Sequence, residues 1–516
     1  MSIMASHTLS SKATTCASAS TGVGATAAAL PIRRLVSGKE AALASTFALG
    51  AGSTQLKRLT MKGQCRSVSR NKHMTVATAT MKVEAKDSWI SKALEVCAPG
   101  STGDAVSAVQ TSAVEYLKSI DLPNTRTEAY RFTDLLPLVK AQLVVPSEAT
   151  DISLENYALE QADKSRIVLV DGIFRADLSD LSGLPAGVTV GPLSAVSAPA
   201  STLGKQSAEF GSVFAQLNTA CMADAVVVVV EDGVQCAAPL HVLVLSSAGP
   251  TAESTAASHP RLLVAAGTGA SIEVVEEFGG AAAASSGAYF TNAVAEIVLA
   301  EEASVKHSVV QSQTAGAIHM KATFVQQAAN SSYALTEAST GSQLARHDIK
   351  ISQQGAATST TMRAFLCAGK NQLLDTHSSL VLDHPNGTSD QLHKCIAAAP
   401  TARAVFDGNV KVNKLAQKTD AQQMSRNLLL CPRATVNVKP NLQIIADDVK
   451  CTHGCTVSDL EDEELFYFQA RGIDPDTARS MLVFSFGQEV VQGLEYKDLR
   501  GRVEQRVKQT LDSATN

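Results

Sequence analysis

The chain has 516 residues, with 44 basic against 49 acidic side chains and a formal charge of −5. Eleven of the basic residues and only one acid, Glu40, fall in residues 1–82, which leaves a formal −15 on the rest. So acidic a body lacks the basic footprint of a nucleic-acid binder, and no uninterrupted apolar run is long enough for a membrane helix.

Residues 1–82 are basic, acid-poor and rich in Ser, Thr and Ala, the composition of an organelle transit peptide. No compact apolar segment precedes a small-residue cleavage site, so a secretory signal fits less well, and the Ala/Ser/Thr character favours a plastid over a mitochondrion. Two of the ten cysteines, Cys16 and Cys65, lie in this segment. The other eight show no disulfide rhythm and are expected as thiols, with Cys236 and Cys367 as small buried hydrophobes. Residues 83–165 read as a helical region, including the stretch "NTRTEAYRFTDL" (Asn124–Leu135) that mixes turn residues with aromatics.

From Arg166 the pattern changes to short β-rich runs such as "RIVLVDG", "AVVVVVEDG", "SIEVVEEF" and "HDIKISQQ", separated by Gly, Ser, Asn or Ala. No long amphipathic helix is expected up to residue 455, which excludes a doubly wound α/β fold. Related units recur roughly thirty residues apart, at Gly269, Glu302 and Asn330. A period in that range, with 4% aromatics and many small and β-branched residues, favours a parallel β-helix over a sandwich for residues 166–455.

The stretch "VKCTHGCTV" ends this region, and in an extended strand Cys451, His453 and Cys455 share one face. Thiols and imidazole suit zinc, iron or an iron–sulfur cluster. Same-face neighbours lie about 7 Å apart, however, so one strand rarely closes a site, and no C-x-x-C exists to supply a second pair. An open or intersubunit metal site and a purely structural row both remain, and a bend at Gly454 would take Cys455 off the row. His377, His384 and His393 could approach from a neighbouring coil. Asp447 and Asp448 are the paired acids a carbohydrate enzyme would need, although adjacent carboxylates on a strand face opposite ways.

Residues 456–516 read as a helical subdomain. Ser458 or Asp459 is the expected cap of a first helix with acids in its opening turn, Gly472 a stop, and Asp474-Pro475 the start of a second helix. That helix is apolar nearly all round at Met481, Leu482, Phe484 and Phe486, wider than one buried stripe requires. It is therefore either buried in its own subdomain or partly a partner surface. The sequence contains no P-loop, G-x-S-x-G or H-E-x-x-H motif, so any nucleotide hydrolysis has to come from a partner.

Over roughly residues 110–510 the chain resembles the SufB/SufD family of iron–sulfur cluster assembly scaffolds. The resemblance is carried by "NTRTEAYRFTDL", "DTHSSLVLDHPNGTSDQLHK", "RAVFDGNVKVNKLAQKTDAQQMSRNLLL", "VNVKPNLQIIADDVKCTHGCTVSDLEDEELFYFQARGI" and "ARSMLVFSFGQEVV". Gly454 stands where the SufB branch typically has Glu, which makes the chain similar to the SufD branch. The resemblance implies a right-handed parallel β-helix between N- and C-terminal helical regions. It further implies a non-enzymatic subunit that pairs with a SufB-like partner in the chloroplast stroma and docks a SufC-like ABC ATPase through Met481, Leu482, Phe484 and Phe486. By the same resemblance Cys451 and His453 would meet transient iron or a nascent cluster at the SufB interface, with His453 the stronger candidate and no role carried onto Cys455. A self-contained metal-binding protein and, further off, a β-helix carbohydrate enzyme are the alternatives.

Overall fold

The computed structural model describes residues 86–96, 104–147, 152–196, 203–210, 212–281 and 287–515, and the expected transit peptide lies outside them. Its lead-in strands are β1 (Gln142–Val144), β2 (Arg166–Val170), β3 (Ile173–Phe174), β4 (Val188–Pro192), β5 (Val226–Val230), β6 (Leu240–Ser246), β7 (Ser254–Ser258) and β8 (Arg261–Ala266). Regular coils follow, with β9 (Ser271–Gly280), β10 (Ala288–Leu299), β11 (Ser304–Gln311), β12 (Ile318–Gln327), β13 (Ser332–Ser339), β14 (Leu344–Gln353) and β15 (Ser359–Ala368). The last are β16 (Leu373–Leu382), β17 (Thr388–Ala397), β18 (Arg403–Val412), β19 (Asp420–Leu429), β20 (Thr435–Ile444) and β21 (Lys450–Ser458).

Odd-numbered strands from β9 to β21 stack in one sheet and even-numbered strands from β8 to β20 in the other, with parallel neighbours throughout. One chain feeding two parallel sheets alternately is a β-helix; a sandwich would pair its strands antiparallel. The recurring units stack in register, since Ser304 pairs with both Ser271 and Ser332.

One corner of the coil repeats a single backbone device. Gly269, Glu302, Asn330, Ala357, Asn386 and Lys418 all have φ between 56° and 64°. Each N–H donates to a carbonyl one coil further on, as Asn330 does to Ala356 (2.9 Å) and Asn386 to Gln417 (2.9 Å). Left-handed residues are strained for anything but Gly and, to a lesser degree, Asn. The corner residues other than Gly269 are exposed, and the hydrogen bond that each makes to the next coil offsets part of that strain.

Small and branched side chains fill the lumen, among them Val274, Val305, Leu335, Ile349, Leu380 and Val410. A polar group sits among them: Glu276 accepts from Lys321 Nζ at 2.6 Å and meets His307 Nε2 at 2.7 Å, all three buried. Burial alone would raise the Glu276 carboxyl, but Lys321 and His307 outweigh it and hold it well below the usual range. Breaking a pair like this leaves an uncompensated buried charge, which costs about 3–5 kcal/mol.

Helices cover the outer faces of both sheets. On the even-numbered sheet, Trp89 and Ile90 of α1 (Ser88–Val96) and Leu117 of α2 (Asp104–Ser119) join Leu138 of α3 (Leu136–Lys140). The helices α4 (Lys205–Phe210) and α5 (Val213–Cys221) lie inside the stretch read from sequence as helix-free. Nearly every α5 side chain is buried, so it shows no amphipathic stripe to read. The segment 124–135 is clamped onto the same sheet. Arg346 lies 4.0 Å over the Tyr130 ring and donates to the Ala129 carbonyl (2.8 Å), while Thr133 bonds Asp375.

The odd-numbered sheet carries α6 (Asp462–Gln469), α7 (Pro475–Val491) and α8 (Lys497–Thr515), with Val483, Val490 and Val503 against Val310, Phe365 and Ile396. At Gly487 the helix comes so close that a Cβ would meet Phe365 Cζ at 2.8 Å. The N-cap of α6 is Glu461, not Ser458 or Asp459, because β21 continues through Ser458. Asp474 caps α7 as expected, accepting from Thr477 N–H at 2.9 Å, and Gly472 ends the preceding turn at φ +80°.

The two ends of the solenoid differ. The antiparallel strands β3 and β4 close the first coils, whereas β20 and β21 have no further strand beyond them among the described residues. Leu415, Ile445 and Val457 are exposed at this second end.

Candidate functional site at the open end of the solenoid

β21 pairs with β19 along its whole length, with Ala421 opposite Cys451, Gln423 opposite His453 and Ser425 opposite Cys455. The β19 residues of this set are buried in the lumen, and Cys451 packs against the same core. The three sequence candidates therefore continue the lumen row, at its bare last rung. Gly454 does not bend the strand. It occupies the outer face, where a Cβ would touch Met424 at 2.8 Å, and Cys455 stays on the row.

Behind the row lies a buried polar ladder that the sequence reading missed. Gln423 Nε2 donates to Gln391 Oε1 (3.0 Å), whose own amide donates to Ser389 (3.3 Å). Gly408 makes room for the Gln423 amide, since a Cβ there would meet Nε2 at 2.4 Å. The Oε1 of Gln423 has no partner, and His453 is the next rung of the ladder. In the adjacent column Ser425 meets His393 Nδ1 at 3.2 Å and accepts from Asn427 at 3.0 Å. The signal for these residues was the coil period: Ala421, Gln423 and Ser425 lie one coil before the cysteine–histidine row.

Of the other histidines, only His393 shares the column of Cys455, with Ser425 between them. It stacks on Phe406 (ring centroids 4.3 Å apart), and burial depresses its pKa to about 4. His377 faces outward on β16, 2.9 Å from Asp375 and 3.0 Å from Arg346, and His384 is half-buried in the next corner. Asp448 is tied to Lys418 at a coil corner rather than paired with Asp447.

Burial raises both the Cys451 and the Cys455 thiols. Neither is a ready thiolate, so ligation needs a cation or metal to displace the proton. Among the described residues no three His, Cys, Asp or Glu side chains converge as a metal site, and every described cysteine is free. The row offers separate donors on an open face, not an enclosed cage.

A second surface lies on the helical subdomain. The apolar width of α7 divides: Val483 is buried, Leu482 and Phe486 are half-buried, and Met481 (45% exposed) and Phe484 (37%) point outward. They are joined in exposure by Phe466 and Tyr467 of α6, which packs on α7.

Comparison with known proteins defines the class. Residues 249–486 match the SufBD core domain of the SUF system for FeS cluster assembly, and residues 96–242 match the SufBD protein N-terminal region. The protein is thus an iron–sulfur cluster assembly protein built on a β-helix. More narrowly, the chain belongs to the SufBD family and is SufD-like. It is 38% identical over 479 residues to "Protein ABCI7, chloroplastic" of Arabidopsis thaliana, covering 89% of this chain and 99% of that one. A SufBD family protein of Synechocystis, slr0076, is 37% identical over 77% of this chain and 89% of its own length. The iron–sulfur cluster assembly protein SufD of Escherichia coli is 29% identical, over 77% and 91%.

Proposed function

We propose that this chain is the SufD-type scaffold subunit of a plastid SufBCD complex, itself without catalytic activity. In this reading the open last coil pairs with a SufB-like subunit. Cys451 and His453 supply half of a site whose other donors come from that partner, and the cargo is iron or a nascent iron–sulfur cluster. A SufC-like ABC ATPase docks on α6 and α7 and drives the cycle. The observation that carries the reading is the lumen row left bare at the end of the solenoid. A core face cut in half calls for a complementary face, and separate donors on it call for donors from the other side. The chloroplastic name of the Arabidopsis relative and the composition of residues 1–82 support the plastid stroma.

The test is co-expression with the SufB-like and SufC-like partners. His453→Ala is expected to leave the complex assembled while cluster formation falls at least tenfold. Cys455→Ala is expected to be far milder. A normal cluster yield from the assembled His453→Ala complex refutes the role of the row.

A further inference from the structure

Away from the open coil, a cavity of about 200 Å³ lies where α8 meets the first regular coils. Its lining is Ser153, Asn156, Tyr157, Ser312, Thr314 and Arg506, together with Gly280 and Ala281. Every polar side chain in that set carries an N–H or O–H donor, and no carboxylate lines the cavity. The guanidinium of Arg506 forms no ion pair among the described residues. It donates from Nη2 to the Gln313 carbonyl at 3.3 Å, and its Nε is buried without a partner. The contrast is one turn away on the same helix, where Arg502 is spent on Glu277 through two bonds of 2.8 Å.

A buried donor left unmade is costly, more so on a charged group, so a guanidinium unpaired at Nε calls for an acceptor; of the other lining groups, the Tyr157 hydroxyl already donates to the Gly280 carbonyl (3.3 Å). The cavity is below the usual range for drug-sized ligands, about 300–1,000 Å³, and suits a single small ion. Planar guanidinium with converging hydroxyls is the donor set that recognises oxygen-rich anions.

We propose that this cavity binds a free tetrahedral oxoanion of phosphate or sulfate size, held by Arg506 and the surrounding hydroxyls. The anion would bridge three parts of the chain that are far apart in sequence: residues 153–157, the corner at Ser312–Thr314, and α8. It would thereby tie the C-terminal subdomain to the solenoid, independently of the partner sites.

Isothermal titration of the full chain with inorganic phosphate, and separately with sulfate, tests this. One saturable site per chain is expected, with a matching rise in the thermal midpoint. Arg506→Gln should weaken binding at least tenfold while keeping the midpoint of the anion-free protein within a few degrees. Lys508→Gln, with the same change of charge on the same helix and no place in the cavity, should bind as the parent does. Should Arg506→Gln fail to fold, Ser312→Ala with Thr314→Val serves instead, and weakened phosphate binding is again expected. Absence of a saturable site, or equal loss in Arg506→Gln and Lys508→Gln, overturns the proposal. Equal competition by a phosphomonoester such as phosphoserine overturns the restriction to a free ion.

Discussion

His393 shows what the lumen does to a single side chain. Burial beneath Phe406 keeps its imidazole neutral, with a pKa of about 4 against an ordinary 6.5, and His319 is pushed to about 3 for the same reason. A depressed folded-state pKa means that the unfolded chain takes up the proton first as pH falls. Above about pH 6.5 neither state is protonated and the residue adds no pH dependence. Between 6.5 and 4 it withdraws up to about 3 kcal/mol. Urea unfolding is therefore expected to show stability falling steadily from pH 6.5 to 4.5, and His393→Gln to flatten that slope even where it lowers the neutral-pH value. An unchanged slope in the variant would assign the acid sensitivity to other groups. None of this was legible in the sequence, because "QLHKC" gives no sign of which alternate side chain meets an aromatic ring across the lumen.

At the scale of the element, the strands were legible because a two-residue alternation and a coil of about thirty residues both survive in the sequence. Helix boundaries were less so. α5 is buried all round, and β21 runs through the expected cap at Ser458. The left-handed corner also escaped notice, since it is occupied by Gly, Glu, Asn, Ala, Asn and Lys in turn and shows no residue motif. Its strain nevertheless makes a clear expectation. Ala357 sits at φ 56° with a Cβ that this region penalises by about 1–2 kcal/mol. Ala357→Gly removes the penalty and adds about 0.5–1 kcal/mol of unfolded-state entropy cost, so a net gain of about 0.5–1 kcal/mol is expected in denaturant unfolding. A loss of stability would mean that the alanine methyl is worth more than the strain.

The whole molecule carries two exposed apolar surfaces, a bare coil end and an aromatic patch on the helices, set on one solenoid. Half of the candidate site was visible from the spacing of "CTHGC", while its supporting ladder became visible only once the coil register was known. The cavity at Arg506 was not visible at all, because its lining spans residues 153 to 506. For the patch, Met481→Asp with Phe484→Asp replaces outward-facing side chains only. The thermal midpoint is expected to move by no more than a few degrees, whereas retention of the proposed SufC-like partner on an affinity column should fall at least tenfold. Retention at the parent level would remove α7 from the proposed docking surface.

The bare last coil also bears on how the protein fares when it is made in excess. On the proposed pairing, a chain whose lumen row ends in solvent gains additional stability from the subunit that covers that row, by mass action, so its lifetime would follow the supply of that subunit. Uncovered copies expose Leu415, Ile445 and Val457 beside two unpaired strand edges, the features that lead to aggregation and mark a protein for proteolysis. On that pairing the open coil would double as a stoichiometry gauge, since surplus subunits are the ones that stay exposed and turnover of the unpaired pool would hold the two chains in balance.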